Sequence, residues 1–270
     1  IFNGTSNYIL SLMDTKKINF NEALLSAQNL GYAEKNPSSD INGQDVSSKL
    51  KILSSLCFNS FIENNVHVEG IKKIDKIDIS NADKLGYKIK LLGVAELKKN
   101  KIIQRVHPSF IKKTSYIASI NGVLNAVIIS AEPVGESIIQ GEGAGSGPTT
   151  SALISDISSV LRGNIKYPFA LPDLERKKIK IESVKNQYFS AYTRLDVLDK
   201  HGVLSNITNV FANNEVSLKR LIQNPFKSKK YASIIIITHK AKDKNLMKTL
   251  SELNKKKYLI NAAKLIRIED

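Results

Sequence analysis

The segment that decides how this chain is interpreted runs Ala27-Gln-Asn-Leu-Gly-Tyr-Ala-Glu-Lys-Asn-Pro-Ser-Ser-Asp-Ile-Asn-Gly-Gln-Asp-Val-Ser-Ser-Lys49. It places four charged side chains in a loop that contains glycine and proline and then enters a predicted helix: Glu34, Asp40, Asp45 and Lys49. A loop of this composition is usually either a solvent-exposed connection or a polar site. The choice between these two interpretations decides the function.

Asp45 and Lys49 lie four residues apart near the start of the predicted helix, so they share one helix face. On spacing alone we favour an exposed ion pair that contributes ~0.3–0.5 kcal/mol. The alternative is a lysine held by a carboxylate near the positive end of a helix, where it could exchange a proton with a substrate oxygen. Glu34 and Asp40, by the same reasoning, are more often solvated loop carboxylates than ligands.

The composition predicts a soluble globular protein of one large or two ordinary domains, with 42% hydrophobic residues in 270. There is no apolar run long enough for a membrane span, no signal peptide and no initiator Met, as expected of an internal fragment of a cytoplasmic protein. Cys57, the single cysteine, is predicted to be a buried and inert thiol. A net charge of +15 makes nucleic-acid binding a hypothesis to consider. However, only six of the 40 basic residues are Arg and the Lys residues are scattered, which favours solvent-exposed charged faces.

Hydrophobic periodicity predicts an α+β domain with a mostly β sheet backed by helices over residues 1–163. Thr5 or Ser6 is expected to cap its first helix. The predicted helices cover residues 5–13, 21–30, 43–58, 78–85 and 148–161, and the predicted strands cover 69–74, 87–95, 101–106 and 125–130. A Lys-rich linker is expected over 164–188. Residues 189–270 then read strand, helix, strand, strand, helix, strand, a ferredoxin-like βαββαβ unit.

A second candidate site is the glycine stretch at residues 141–150, Gly-Glu-Gly-Ala-Gly-Ser-Gly-Pro-Thr-Thr. Its glycines let a ligand approach the backbone, and Pro148 favours the first turn of a helix whose amino end attracts anions. It matches neither the P-loop nor the dinucleotide fingerprint, so an ordinary linker remains equally open. The four histidines show no metal-ligand spacing, and we predict no metal site.

The opening segment resembles the signature of the homoserine dehydrogenase family with every spacing intact: Ala27-x3-Gly31-Tyr32-Ala33-x2-Asn36-Pro37-x2-Asp40-Ile41-x-Gly43-x-Asp45-x3-Lys49. Four flanking segments also resemble the family in order: residues 3–10, 105–109, 125–126 and 141–156. The resemblance implies a catalytic and dimerisation domain. It also implies reversible hydride transfer between NAD(P)H and aspartate semialdehyde, giving homoserine on the route to threonine, methionine and isoleucine.

Because that family begins with a nicotinamide-binding Rossmann domain, the resemblance also implies that this chain is one part of a larger enzyme and is inactive alone. The apolar side of the helix over residues 152–161 is therefore expected to be exposed. A runner-up hypothesis is a stand-alone amino-acid-binding regulatory protein that keeps a relic catalytic domain.

The resemblance assigns roles to the candidate residues. Lys49 would donate and accept the proton at the substrate oxygen, and Asp45 would orient that oxygen or the lysine. Glu34 would bind the substrate ammonium group with support from Asp40. Three further residues would line the same pocket: Thr5, the Gly4 backbone and Tyr32. The residues expected to face the cofactor are Gly141, Gly143, Ala144, Gly145 and Thr149. Two positions depart from the family, Glu142 and Thr150, and Glu142 is expected to point to solvent.

The tail resembles an ACT domain, a small ligand-sensing module with the same βαββαβ order. The loop that follows its first strand would bind an amino-acid effector, with threonine expected, through Asp199, His201, Gly202 and Val203. His201 stands where the family usually has proline. A tail used only for assembly, in a homodimer or larger oligomer, is the alternative.

Overall fold

A computed structural model describes residues 1–60, 62, 66–164, 167, 169, 171–226 and 230–269. The chain divides into two compact units. The first comprises residues 1–108 and 112–182, and the second comprises residues 109–111 and 183–270. Among the described residues, no helix combines the length and the apolar character that crossing a membrane requires.

The first unit contains six α-helices in its described residues: α1 (Gly4–Lys16), α2 (Phe20–Asn29), α3 (Ser38–Ile41), α4 (Gln44–Phe58), α5 (Lys76–Lys84) and α6 (Ser146–Leu161). Asn3 caps α1 by accepting a hydrogen bond from the Ser6 backbone N–H at 2.7 Å, so the prediction of Thr5 or Ser6 as the cap is wrong. The cap lies earlier because the helix already begins at Gly4. Asn19 caps α2 through a reciprocal capping box with Glu22.

The strands of the first unit are β1 (His67–Val68), β2 (Tyr87–Lys98), β3 (Lys101–Lys112, of which 109–111 belong to the second unit), β4 (Leu124–Ala131), β5 (Gly135–Glu142) and β6 (Lys180–Glu182). Strand β3 is central, because β1 and β6 both pair with it in parallel and β2 also pairs with it. Strands β4 and β5 form a separate antiparallel hairpin that ends at the glycine stretch.

The strand predicted over residues 69–74 is wrong, since β1 ends at Val68. The backbone there turns toward α3 instead, and the Ile71 N–H donates to the Ile41 carbonyl at 2.8 Å. Gly70 permits this contact, because a Cβ on it would lie 2.1 Å from the Ile41 carbonyl oxygen. Strand β5 and the short β6 were not predicted.

Helix α4 buries Val46 and Leu50, but the prediction of a buried Cys57 is wrong because that thiol is exposed. The inward positions after Leu50 are Ser54 and Ser55. The Ser54 hydroxyl donates to the Leu50 carbonyl at 2.7 Å, which satisfies a polar group that the helix buries. The core-facing stripe therefore passes beside Cys57 and does not include it.

The apolar side of α6 is exposed, as predicted. Five of its large apolar residues are 58% to 82% exposed: Leu153, Ile154, Ile157, Val160 and Leu161. No residue of this helix is buried.

The second unit contains β7 (Tyr188–Leu198), α7 (Val203–Asn213), β8 (Leu218–Pro225), β9 (Tyr231–Thr238), the short β10 (Ala241–Lys242), α8 (Asp243–Leu253) and β11 (Lys264–Glu269). Its four long strands form an antiparallel sheet in the order β11-β7-β9-β8. Apolar side chains of α7, α8 and the sheet form one core that includes Leu195, Ile207 and Leu246. The α+β class and the βαββαβ order are thus confirmed.

Candidate functional site

A cavity of about 500 Å³ lies in the first unit, where the start of α1, the loop after α2, helices α3 and α4, and the segment after β5 converge. It brings together most of the residues singled out from the sequence. Its lining consists of Asn3, Gly4, Thr5, Leu30, Gly31, Tyr32, Asp40, Asp45, Lys49, Val123, Asn125, Glu142, Gly143, Ala144 and Gly145.

Lys49 lies on α4 one turn after Asp45, and its ammonium group is held from two directions. The Nζ atom is 2.9 Å from Asp45 Oδ2 and donates to the Phe2 carbonyl at 3.0 Å. The side chain remains 46% exposed and lines the cavity. An ammonium group in this position can exchange a proton with a bound molecule while its carboxylate partner holds it in place.

Asn3 is a further member of the site, although it is not among the residues predicted from the sequence. It is 6% exposed, and its Nδ2 atom donates to Asp40 Oδ1 at 2.7 Å and to Asp45 Oδ2 at 2.9 Å. The Asp40 carbonyl is also fixed, since Ser6 Oγ donates to it at 3.0 Å. The only sequence signal for Asn3 was its place at the start of the resembling segment at residues 3–10. Its contacts with residues about 40 positions away could not be read from spacing.

The amino end of α1 forms one wall of the cavity through Gly4 and Thr5. The Thr5 hydroxyl donates to the Tyr32 carbonyl at 2.5 Å, which ties α1 to the loop after α2. A Cβ at Gly4 would lie 2.8 Å from the Val123 carbonyl oxygen, so glycine allows the helix to start against that backbone. The Tyr32 ring packs at a tilt against Tyr8, with 5.0 Å between the ring centroids.

Glu34 is not among the residues that line the cavity. It is exposed in the loop after α2, where its carbonyl accepts a hydrogen bond from Gln28 Nε2 at 3.1 Å. Glu142 behaves differently, since it is exposed, as expected, and nevertheless belongs to the cavity wall. The carboxylates that the structure gathers in the cavity are therefore Asp40, Asp45 and Glu142.

The glycine stretch contributes Gly143, Ala144 and Gly145 to the cavity, whereas Gly141 lies in β5 and Thr149 lies in the first turn of α6. Gly143 packs directly on Asn125, because an added Cβ would come within 1.8 Å of Asn125 Nδ2.

Gly145 precedes α6 with a φ of 114°, and no side chain caps the helix. The backbone at this end of α6 is thus open to a ligand, which fits a cofactor with an anionic or amide group.

In the second unit, the loop between β7 and α7 presents Asp199, His201 and Gly202 as exposed residues, and the buried Val203 begins α7. Gly202 has a φ of 79° and precedes the helix without a side-chain cap. Gln223 Nε2 on β8 donates to Asp199 Oδ1 at 3.4 Å. Three of the four predicted effector residues therefore share one loop, which has a polar contact with β8, and the fourth, Val203, is the first residue of α7. Within the described part of the chain, no group of His, Cys, Asp and Glu side chains could hold a metal ion.

Comparisons with known proteins agree with this geometry. The homoserine dehydrogenase family model matches residues 1–158, and the ACT domain model matches residues 191–257. The homoserine dehydrogenases of Helicobacter pylori and Synechocystis are 38% and 35% identical over 100% and 99% of the chain. The chain spans 64% of the length of each.

Solved structures are similar as well. The crystal structure of a homoserine dehydrogenase from Thiobacillus denitrificans is 35% identical with a TM-score of 0.91, and the match covers 100% of this chain and 63% of that one. A Staphylococcus aureus homoserine dehydrogenase crystallised at pH 6.0 is 30% identical with a TM-score of 0.71, covering 100% of this chain and 64% of that one.

Proposed function

Because the chain belongs to the homoserine dehydrogenase family, we propose that it supplies the catalytic site for the reversible interconversion of L-homoserine and L-aspartate 4-semialdehyde with NAD(P). The observation that carries this proposal is the Lys49 ammonium group. It faces the cavity while Asp45 and the Phe2 carbonyl hold it at 2.9 and 3.0 Å.

Lys49 would act as the proton donor and acceptor. Reduction of an aldehyde places negative charge on the carbonyl oxygen, and that oxygen needs a proton from a nearby group. Lys49 would supply this proton during reduction and take it back during oxidation of the alcohol. Asp45 would hold the lysine ammonium group in position.

The substrate also carries an ammonium group, which needs a carboxylate partner. We propose Asp40 for this role, since it already lines the cavity, together with Glu34, whose exposed side chain would reach in from the loop after α2. Thr5, Gly4 and Tyr32 would complete the substrate side of the pocket.

The cofactor would lie against the glycine stretch, and when bound it would supply or accept the hydride. Gly143, Ala144 and Gly145 would contact it, with Gly141 and Thr149 at the edges of that surface. The close packing of Gly143 on Asn125 and the uncapped start of α6 support this assignment. Gly143 and Gly145 place no side chain on this surface, where the reacting part of the nicotinamide would lie.

The second unit would regulate the enzyme by binding an amino acid, with threonine proposed, at the loop of Asp199, His201 and Gly202 and at Val203, the first residue of α7. We further propose a homodimer or larger assembly. The proposed regulation by threonine is tested by titrating the full-length protein with threonine while measuring its turnover and, by calorimetry, the heat of binding. Serine at the same concentration is the control, and an unchanged activity with no heat of binding would leave assembly as the role of this unit.

The catalytic proposal is tested by Lys49→Ala in the full-length protein, which should lower kcat by on the order of 10²–10⁴-fold. Lys51→Ala is the matched control, because Lys51 lies on the same helix outside the cavity lining. Circular dichroism and melting should show that both variants fold. Near-normal turnover of Lys49→Ala would remove Lys49 from the mechanism. Binding of the effector without any homoserine-dependent turnover in the wild type would favour a regulatory protein.

A further inference from the structure

We propose that Asn3 is a positioning residue that places the Asp45 carboxylate, and through it the Lys49 ammonium group, for proton transfer. This inference rests on the proposed function, since it concerns the same cavity. It starts from the buried amide of Asn3, which lies between two carboxylates that come from a distant part of the chain.

The amide of Asn3 uses both of its N–H donors on carboxylates. One donates to Asp40 Oδ1 at 2.7 Å and the other to Asp45 Oδ2 at 2.9 Å. Two carboxylates this close to one group repel each other, and an amide can bridge them because its NH₂ group offers two donors without adding charge. Neither an aspartate nor a leucine, which lack such donors, could make this bridge.

Asp45 Oδ2 is the atom through which Asn3 reaches Lys49. The same oxygen that accepts from Asn3 at 2.9 Å is also 2.9 Å from Lys49 Nζ. Its position is therefore set from the amide on one side and the ammonium on the other. The Phe2 carbonyl, next to Asn3 in the chain, is the second acceptor of Lys49 at 3.0 Å. Residues 2 and 3 thus fix the lysine both directly and through Asp45.

Asn3 also caps α1 through Oδ1, so a purely structural role has to be separated from the positioning role. The cap needs only the oxygen, which accepts from the Ser6 N–H at 2.7 Å. Asn19 provides a matched comparison. It caps α2 in the same way, accepting from the Glu22 N–H at 2.9 Å, and it does not line the cavity.

The test compares Asn3→Asp and Asn3→Ser with Asn19→Asp and Asn19→Ser in the full-length protein. Both replacements keep a cap acceptor and remove the bridge, and Asn3→Asp also adds a negative charge. We expect kcat to fall roughly ten-fold or more in both Asn3 variants, with a smaller change in KM, because misplacing a reacting group mainly affects turnover. The Asn19 variants should keep wild-type kcat even where their melting temperature falls.

A second readout does not depend on turnover. Crystal structures of the Asn3 and Asn19 variants report the distance between Asp45 Oδ2 and Lys49 Nζ, which is 2.9 Å in the wild type. Loss of the amide bridge in the Asn3 variants should let Asp45 turn away from the lysine and lengthen this distance beyond about 4 Å, and the Asn19 variants should leave it unchanged.

The outcomes separate the two proposals. A wild type without homoserine-dependent turnover, but with a lengthened Asp45–Lys49 distance in the Asn3 variants, would overturn the proposed function and keep the positioning role. An active wild type whose Asn3 variants fold, keep kcat within two-fold and leave the Asp45–Lys49 distance unchanged would overturn the positioning role. Asn3→Ser keeps the test decisive if the added charge prevents Asn3→Asp from folding.

Discussion

Because of Lys90, the free energy of unfolding of the protein should rise with pH in the alkaline range. This lysine on β2 is 2% exposed, and its Nζ atom donates to Asn7 Oδ1 and Asn121 Oδ1 at 3.1 Å and to the Ile120 carbonyl. These three oxygens are neutral, so the charge is satisfied by hydrogen bonds alone. Burial lowers the pKa of Lys90 from 10.5 to about 8, and the charge of Lys88 adds to this while that of Asp14 opposes it.

The direction of the effect follows from proton linkage. The unfolded chain keeps the ordinary lysine pKa, so between pH 8 and 10.5 the unfolded state binds more protons than the folded state. Raising the pH through this range therefore favours the folded state. Each pKa unit corresponds to about 1.4 kcal/mol, so the free energy of unfolding should gain on the order of 3 kcal/mol from Lys90. The gain should be absent below pH 8.

The assay is urea unfolding of wild type and Lys90→Met, followed by circular dichroism at pH 7, 8, 9, 10 and 10.5. The difference in free energy of unfolding between the two proteins isolates Lys90 from the other groups that titrate at alkaline pH. Lys72→Met, at an exposed position, is the control, and its difference from wild type should stay flat. A flat difference for Lys90→Met over the same range would refute the argument that burial controls this amine.

Two further predictions concern the cavity wall in the first unit and a buried ion pair in the second unit. Gly143→Ala should lower kcat/KM roughly 10- to 100-fold, because its Cβ would displace Asn125 at the cavity wall. Wild-type kcat/KM in a folded Gly143→Ala variant would refute this. Arg267→Met should lower the free energy of unfolding by about 3–5 kcal/mol, because it leaves Asp243 charged and buried without the Arg267 Nε donor now at 2.7 Å. Urea unfolding should show that adding Asp243→Asn to Arg267→Met recovers part of this loss, and no recovery would count against an unpaired charge as the cause.

The longer helices and the order of the second unit could be predicted because their periodicity is local, whereas the four-residue α3 lies in the stretch predicted to be a loop. Helix α4 shows the limit of that information. Its inward stripe passes through Ser54 and Ser55, and a pattern search that counts apolar residues selects Cys57 in their place. Strand β5 was missed for a related reason, since all eight of its residues are exposed and no buried face marks it. Strand β5 forms because it pairs with β4, and the sequence of β5 alone does not predict that pairing.

The site residues that could be predicted are those that the family resemblance indicated. A residue that joins the site only through contacts with distant parts of the chain could not be predicted. Asp40, Asp45, Lys49 and Thr5 line one cavity, as the resemblance implied. Asn3 could not be selected, because nothing local distinguishes a helix cap that only accepts one hydrogen bond from one that also donates two.

The pair formed by Asp45 and Lys49 shows what changes an ordinary helix surface into a candidate reaction site. Their spacing alone describes an ion pair that solvent would screen and that would contribute well under about 1 kcal/mol. In the folded chain, the Phe2 carbonyl holds the ammonium group and Asn3 holds the carboxylate oxygen, and both come from the segment that begins α1. These two contacts restrict the rotamers of both side chains. A proton donor must have a fixed position before a substrate arrives, and here the segment that leads into α1 provides it.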